Sequence, residues 1–311
     1  MTDNTDTKPR IFVTGAGGFV GRALMSELTT RGLDAIGIVR PGKTAPSGQT
    51  LHADLAEEPT VLPQASPQDT LVHLAAKAHD RNATQDDFQT GTVGVAENVA
   101  LAARRAGFTR IVSVSSIGAR VAAEKRKEAR AYGHAKLAAE AAMNSLRNED
   151  TSVVTIRPPV IYGAGAPGNF GVLQKLIARG VPLPIAFARA ERSYLSVENF
   201  ADFLCTLCVA SDELFRKLDG KFLEPADGKP ISTRDLARKI GEISGKPVRS
   251  LPVPLPLLKL LGMLLGRSDQ VSGAIAPLVV ENDPETQRPL NWSPLHDFDT
   301  GLQRMYTAKI D

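Results

Sequence analysis

Cysteines and long apolar runs are scarce in this sequence of 311 residues, and each shortage excludes a class of protein. The two cysteines, Cys205 and Cys208, cannot build the disulfide framework of a small secreted domain, so we expect a reducing compartment. No apolar run reaches the roughly 20 residues of a membrane-spanning helix, and no membrane insertion is expected. Met1–Lys8 is polar and acidic where a signal peptide is basic and then apolar, which favours a cytoplasmic protein.

Charge of one sign is also in short supply. Lysine and arginine total 37 against 34 aspartate and glutamate, a net charge of +3 that is spread evenly along the chain. A nucleic-acid partner is therefore not expected. The composition, 42% apolar and 23% charged, is that of a folded globular chain, long enough for one large domain or two unequal ones.

Short apolar strands alternate with helices in the first half of the chain. The predicted strands and helices are Ile11–Thr14, Val20–Thr30, Ala35–Val39, Leu71–Leu74, Glu97–Ala106, Ile111–Val114, Ala135–Leu146 and Val153–Ile156. This alternation predicts an α/β fold with a doubly wound parallel (Rossmann) sheet, whose ligand crevice lies at the carboxyl ends of the strands. After Pro158 proline and glycine cluster and strands become rare. We therefore divide the chain into a dinucleotide-binding domain, residues 9–158, and a smaller, mostly helical substrate lobe, residues 159–311.

A glycine-rich turn joins the first predicted strand directly to a helix. Gly15, Gly18 and Gly21 are spaced G-x-x-G-x-x-G, with Phe19 and Val20 between the last two. Glycine lets the backbone approach a pyrophosphate, and the helix N-terminus offers free N–H groups. The sequence therefore predicts dinucleotide binding here, and a mere tight joint between strand and helix is the alternative.

Arg40 ends the second predicted strand, where a carboxylate would bind the ribose hydroxyls of NAD. With Lys43 close behind it, Arg40 is suited to pair with the 2′-phosphate of NADP, and a solvated surface arginine is the alternative. Asp54 and Leu55, after the third short strand, suit a contact with the adenine edge; a plain turn aspartate is the alternative. The predicted cofactor is NADP, with NAD as the second choice.

Tyr132 and Lys136 lie four residues apart on a predicted helix and so share one face. A nearby ammonium group favours phenolate, so we expect Lys136 to lower the pKa of Tyr132 toward the working pH of a general acid. Ser115 and Ser116 follow the strand Ile111–Val114, and successive residues there face opposite ways, so one hydroxyl can hold a carbonyl oxygen. A chance surface pair of tyrosine and lysine is the alternative.

These motifs together resemble the extended short-chain dehydrogenases/reductases of the nucleotide-sugar epimerase/dehydratase group. The resemblance covers residues 9 to 308 and rests on TGAGGFVG (14–21), HLAA (73–76), RIVSVSS (110–116), Tyr132 with Lys136, and RPPVIYG (157–163). It implies that Ser116, Tyr132 and Lys136 are catalytic, with Ser116 rather than Ser115 orienting the oxygen. It also implies further dinucleotide contacts from Leu74, Ala75, Ala76 and Pro159.

The second half is similar to the subgroup that reduces or epimerises C4 of UDP-linked amino sugars. By that resemblance Asn169 and Arg192 bind the diphosphate of the substrate; a helix cap and a surface arginine are the alternatives. Thr92 stands where the family has asparagine, and only 15 residues separate Ser116 from Tyr132. We expect a trimmed substrate-facing loop there, with the charged segment Glu124–Arg130 as a solvated turn; the alternative is that its basic members reach the substrate.

The resemblance implies a reductase that transfers hydride from NADPH to C4 of a UDP-4-keto-hexose. The same residues would serve an NAD-dependent UDP-sugar 4-epimerase, which is the alternative enzyme. A redox-inactive NADP-binding regulatory or scaffold protein is the alternative of another class. The expected partner is a UDP-sugar, and a homodimer is compatible with the family.

Two further features have plainer interpretations. Cys205 and Cys208 have the spacing of zinc ligands but lack a second cysteine or histidine pair nearby, so we expect buried packing and no metal. Leu255–Leu265 is apolar enough to touch a membrane surface, but its length favours a core helix of the small lobe.

Overall fold

A parallel sheet forms the centre of the molecule in the computed structural model, which describes residues 8–57, 59–77, 84–127, 129–266, 268–281 and 288–307. In these ranges its strands are β1 (Arg10–Thr14), β2 (Asp34–Val39), β3 (Gln49–His52), β4 (Thr70–His73), β5 (Arg110–Val114), β6 (Ser152–Ile156) and β10 (Phe222–Leu223). Their order is β10-β6-β5-β4-β1-β2-β3, and all pairs are parallel. Because the order reverses between β1 and β4, the crevice for a ligand opens there.

Helices cover both faces of this sheet and form much of the remaining chain. They are α1 (Phe19–Thr30), α2 (Gln85–Phe88), α3 (Val95–Ala106), α4 (Ile117–Ala123), α5 (Ala131–Asn144), α6 (Gly168–Ala178), α7 (Val197–Cys208), α8 (Asp212–Lys217), α9 (Thr233–Ile243), α10 (Leu255–Leu264), α11 (Ser268–Ile275) and α12 (Phe298–Thr307). One apolar cluster joins α1 and α7 to one face, and a second joins α3 and α5 to the other. The central strands are buried on both sides, which explains their unbroken apolar sequences. The predicted doubly wound Rossmann fold is confirmed.

The chain after residue 158 contributes both to the main sheet and to the helical layer that covers one of its faces. Helix α7 packs on α1, and β10 extends the main sheet beyond β6. Cys205 and Cys208 are buried in this packing, as expected, and burial raises the pKa of the Cys205 thiol to about 12. The division at residue 158 stays a prediction, but it does not coincide with a change of layer.

A separate apolar cluster forms the core of the second part. Short strands lie at its edge: β7 (Val160–Tyr162) pairs with β9 (Tyr194–Ser196), and β8 (Glu191–Arg192) pairs with β11 (Ile231–Ser232). Helices α6, α9, α11 and α12 supply most of the cluster's side chains. It is this core that fixes β8, α6 and α11 relative to one another.

Helix α10 borders that core with only one side. Its half-buried Leu255 and Leu258 pack against the core, but of its ten residues only Gly262 is buried, and five leucine and methionine side chains are exposed. The prediction of a core helix at Leu255–Leu265 is therefore only partly right: the helix lies at the surface, packed on the core along one side. None of the helices in the described ranges combines the length and apolarity needed to cross a membrane.

Candidate active site

The glycine-rich turn is built so tightly that side chains are excluded. Gly15 has a φ of +69°, and a Cβ on it would lie 2.9 Å from the Ala75 amide nitrogen. A Cβ on Gly21 would lie 2.2 Å from the Gly15 carbonyl oxygen. Helix α1 begins here without a side-chain cap at Gly18, so its first N–H groups face the crevice. The geometry fits a dinucleotide pyrophosphate.

The loop after β4 borders this turn and is held by Thr14. The Thr14 hydroxyl oxygen accepts from the Leu74 and Ala75 amides at 3.1 and 3.2 Å and lies 2.9 Å from His73 Nδ1. Burial, with Lys136 nearby, lowers the pKa of His73 to about 3, so the ring is neutral and accepts the Thr14 proton at Nδ1. Leu74, Ala75 and Ala76 therefore line the crevice beside the glycines, as predicted for dinucleotide contacts, although the contacts themselves stay predictions.

The end of β2 carries the residues predicted to read the adenosine ribose. Arg40 is exposed there and begins a turn that the Lys43 amide closes by donating to the Arg40 carbonyl at 3.1 Å. Asp54 accepts from the Ala56 amide at 3.0 Å, which is the plain turn role. Leu55 is buried, and its carbonyl accepts from the Asn98 side chain at 3.2 Å. The turn around Arg40 contains two cations and no acid, and this suits a phosphate more than a ribose diol.

Ser116 and Tyr132 meet at the carboxyl end of β5. Ser116 caps α4 by accepting from the Gly118 amide at 3.1 Å, and its hydroxyl is hydrogen-bonded to that of Tyr132. A Cβ on Gly133 would lie 2.5 Å from the Gly118 carbonyl oxygen, so glycine after the tyrosine lets α5 approach α4. The Ser115 hydroxyl is buried and has no hydrogen-bond partner among the described residues. Of the two serines, the structure brings Ser116 to the tyrosine.

Lys136 lies one turn further along α5 and is also buried. Its ammonium group donates to the Val114 carbonyl at 2.8 Å, at the end of β5. Burial lowers the pKa of Lys136 to about 8, against the opposing charge of Glu140. Glu140 is in turn held by a bidentate, buried ion pair with Arg157 at 2.9 and 2.7 Å. The lysine is therefore held by a backbone carbonyl, and the anchored Glu140 carboxylate stabilises its charge from a greater distance.

The sequence predicts a lowered pKa for Tyr132, and this is wrong: the groups of the protein itself raise the pKa. Burial raises the pKa of Tyr132 to about 12, and the hydrogen bond from Ser116 opposes this only in part. The ring packs edge-on against Phe88, with centroids 6.0 Å apart, which adds to its desolvation. Lys136 does not offset this effect, because with a pKa of about 8 it has lost its charge before the phenol titrates. At neutral pH Tyr132 is a phenol, the form that donates a proton.

The two residues predicted to bind a diphosphate lie on either side of α11. Arg192 on β8 is buried and donates to the Ala276 carbonyl at 2.6 Å, while Asn169 is exposed on the first turn of α6. Within the described part of the chain Arg192 forms no ion pair, and burial together with the charge of Arg130 lowers its pKa. A Cβ on Gly273 of α11 would lie 2.7 Å from both the Asn169 amide nitrogen and Arg130 Nη1. We call the two arginines Arg130 and Arg192, together with the neutral Asn169 on α6, the cationic cluster.

Arg130 is a candidate site residue that the sequence interpretation gives only as the lesser alternative. The sequence favours a solvated turn at Glu124–Arg130, but Arg130 directly precedes α5 and its side chain reaches α11. Its position two residues before Tyr132 is the signal that could have found it. Helix α4 fills much of the short interval between Ser116 and Tyr132 and brings the cluster close to the tyrosine. The alternative of a helix cap for Asn169 is not what the structure shows, because α6 begins at Gly168 after Pro167 and has no side-chain cap.

Thr92, which replaces the family's asparagine, lies in a π-helical segment, Gln89–Gly94, that leads into α3. Its buried hydroxyl donates to the Lys77 carbonyl at 3.3 Å. Pro159 is also buried, next to Pro158, whose carbonyl accepts from the Ile117 amide at 3.0 Å. Thr92 therefore borders the loop after β4, and Pro159 follows the residue that bonds the start of α4.

The comparison with protein families decides the class of this site. The profile of the NAD dependent epimerase/dehydratase family matches residues 11–216. The chain belongs to this family. The identification made from the motifs is thus confirmed, and with it an NAD(P)-dependent enzyme and a dinucleotide cofactor of the NAD type. The preference for NADP over NAD stays a prediction.

Individual relatives cover almost the whole chain. A UDP-glucose 4-epimerase of Vibrio cholerae is 30% identical in an alignment that covers 96% of this chain and 94% of that protein. A dTDP-6-deoxy-L-talose 4-dehydrogenase (NAD(P)(+)) of Kitasatospora kifunensis is 25% identical, with 99% of this chain and 98% of that protein covered. The solved structure of a UDP-galactose 4-epimerase has a TM-score of 0.72 at 18% identity over 97% of this chain and 100% of its own, and so shares the fold.

Proposed function

We propose that this family member is an NADPH-dependent reductase of the C4 keto group of a UDP-linked hexose. The observation that carries the proposal is the junction at the start of α5. Arg130 of the cationic cluster and the phenol Tyr132 lie two residues apart there, beside Ser116. A diphosphate bound by the cluster would hold a sugar ring next to the proton donor.

Ser116 and Tyr132 have separate tasks in the proposed reaction. The bound dinucleotide supplies hydride to the carbonyl carbon. Ser116 donates a hydrogen bond to the carbonyl oxygen and orients it, and Tyr132 transfers its phenolic proton to the alkoxide as it forms. The pKa of about 12 for Tyr132 keeps that proton on the phenol until charge develops on the substrate oxygen. The product is the C4 alcohol.

Lys136 and Arg192 supply positive charge in this scheme. The Lys136 ammonium group, held by the Val114 carbonyl, would bind the ribose of the dinucleotide and stabilise the tyrosinate left after proton transfer. Arg192 is not paired with a carboxylate in the described part of the chain, so its charge is available to the substrate diphosphate. Guanidinium suits that ligand because it is planar and bidentate.

An NAD-dependent UDP-sugar 4-epimerase is the second candidate, supported by the name of the Vibrio cholerae relative. An epimerase retains its dinucleotide through the cycle, whereas a reductase exchanges it. Retained NAD in the purified protein would favour the epimerase. A redox-inactive NADP-binding scaffold is disfavoured because Ser116, Tyr132 and Lys136 are all present and assembled.

The test is the oxidation of NADPH by each member of a panel of UDP-4-keto-hexoses. The reaction is monitored through the fall in absorbance of the reduced nicotinamide. We expect turnover with at least one member of the panel and none with the corresponding free 4-keto sugars, which lack the diphosphate. The Tyr132→Phe protein, mixed with the same substrates, controls for non-enzymatic oxidation. No turnover with any UDP-4-keto sugar, together with interconversion of UDP-hexoses, would replace this proposal by the epimerase.

A further inference from the structure

An exposed leucine face on α10 and the segment before it has no role in the proposed reaction. Leu264, Leu265 and Met263 expose 73%, 68% and 66% of their surface, and Leu251, Leu257, Leu260 and Leu261 are exposed as well. We call these seven side chains the leucine face. Soluble monomers seldom expose so many large apolar side chains on one short element, because each loses favourable burial.

The charge around this face is of one sign. Residues 243–268 contain Lys246, Arg249, Lys259 and Arg267 and no acidic residue, although the whole chain has a net charge of only +3. The segment is bounded by Glu242 and Asp269, and the rest of the chain is slightly acidic overall, so this segment departs from the even distribution of charge expected from the whole sequence. Lys246, Arg249 and Lys259 are exposed.

We propose that the leucine face docks the protein on the surface of an anionic phospholipid membrane, as a peripheral attachment that does not span it. Leucine and methionine side chains would enter the boundary between headgroups and acyl chains, while Lys246, Arg249 and Lys259 pair with lipid phosphates. A second copy of this chain fits less well. A two-fold contact through this face would place the same basic segment, which has no acid between Glu242 and Asp269, against itself.

The leucine face is adjacent to the cationic cluster along the chain. Helix α10 packs against α11, and Gly273 of α11 borders Arg130 and Asn169. A membrane that holds α10 would therefore hold the element that lines the proposed diphosphate site. The proposal nevertheless stands independently of the substrate, because it concerns a surface outside the reacting residues.

The test is co-sedimentation of the full-length protein with vesicles that contain about one-third phosphatidylglycerol in phosphatidylcholine. We expect binding to these vesicles, little binding to pure phosphatidylcholine, and release at about 1 M salt, where the Debye length is near 3 Å. A double variant Leu260→Ser/Leu264→Ser should bind at least about tenfold more weakly, since each leucine contributes about that factor on leaving water. Replacing Lys246 and Lys259 by glutamine should cost about fivefold for each charge removed.

A matched control replaces exposed apolar residues elsewhere. Val61 and Leu295 expose 73% and 63% of their surface, so Val61→Ser/Leu295→Ser makes the same chemical change outside the leucine face and should bind like the wild type. Unchanged melting and NADPH oxidation in all variants would show that they fold. Wild-type protein that stays in the supernatant with anionic vesicles overturns the proposal. A leucine-face variant that binds vesicles normally also overturns it. A leucine-face variant whose only change, measured by light scattering, is from a dimer to monomers overturns it as well.

Discussion

The dinucleotide end and the substrate end of the crevice are built in opposite ways. The dinucleotide end is made of backbone: Gly15 and Gly21 pack against carbonyl and amide groups, and Thr14 secures the neighbouring loop. The substrate end is made of long side chains, with Arg130 and Arg192 meeting at α11 from segments far apart in sequence. The cofactor that the family shares can thus be bound by one contiguous motif. The choice of substrate depends instead on separate side chains, each of which can be substituted without the others.

Tyr132 lies between the two ends, and its removal should separate chemistry from binding. We expect Tyr132→Phe to reduce turnover by about 10²–10⁴-fold, the usual contribution of a general acid. Affinity for NADPH and for UDP should remain near the wild-type values, because the ring and its contact with Phe88 are kept. Steady-state rates and calorimetry decide, and wild-type turnover in this variant would remove Tyr132 from the mechanism.

The backbone character of the dinucleotide end is tested by two alanine substitutions in the same turn. In Gly21→Ala the new Cβ meets the Gly15 carbonyl at 2.2 Å, so we expect a loss of about 3 kcal/mol in the free energy of unfolding. Gly17→Ala is the matched control, because no atom lies within 4 Å of a Cβ there. Equal stability of the two variants in chemical denaturation would contradict the tight packing of this turn.

The side-chain character of the substrate end predicts a conflict between stability and binding at Arg192. Burial of a guanidinium without a carboxylate partner is costly, so Arg192→Met should melt at or above the wild-type temperature. The same variant should bind UDP about 10- to 100-fold more weakly, since a charge-assisted pair with the diphosphate is lost. Arg189→Ala, which removes a nearby exposed arginine, controls for net charge. Unchanged UDP affinity in Arg192→Met would place the diphosphate elsewhere.

The dinucleotide end should also depend on one side chain, that of Arg40 in an exposed turn. A charge-assisted pair with the 2′-phosphate in this setting contributes roughly 1.5–3 kcal/mol, or about a 10- to 100-fold preference for NADPH over NADH. Arg40→Asp should reverse the preference, because a carboxylate accepts from ribose hydroxyls and repels the phosphate. The ratio of kcat/KM for the two cofactors measures this. A wild-type preference for NADH would make Arg40 a solvated surface residue.

This contrast also explains what can be predicted from the sequence. The predicted bounds of β1, β2, β4, β5 and β6 agree with the structure within about two residues, because a buried parallel strand is an unbroken apolar run. The family match confirms the dinucleotide cofactor, whose glycines form a local motif. The pairing of β10 with β6 is not visible in the sequence, since a two-residue strand has no periodicity of its own.

Contacts between distant segments account for the remaining differences. The sequence favours a solvated Arg130 because nothing in its own segment shows that α11 lies opposite. The expected pKa of Tyr132 depends on Lys136 alone, whereas burial dominates the pKa in the folded protein. Helix α10 has the composition of a core element, and composition does not reveal whether a neighbour covers it.

Transfer of deuterium from NADPH labelled at nicotinamide C4 tests the proposed reaction most directly. The protein is incubated with a UDP-4-keto-hexose, and the product sugar is analysed by mass spectrometry and NMR. A reductase in which Ser116 orients the carbonyl oxygen and Tyr132 protonates it places one deuterium at C4 of the product for each NADP formed. Product without label at C4, or interconversion of UDP-hexoses with no net consumption of NADPH, would contradict the proposed reduction.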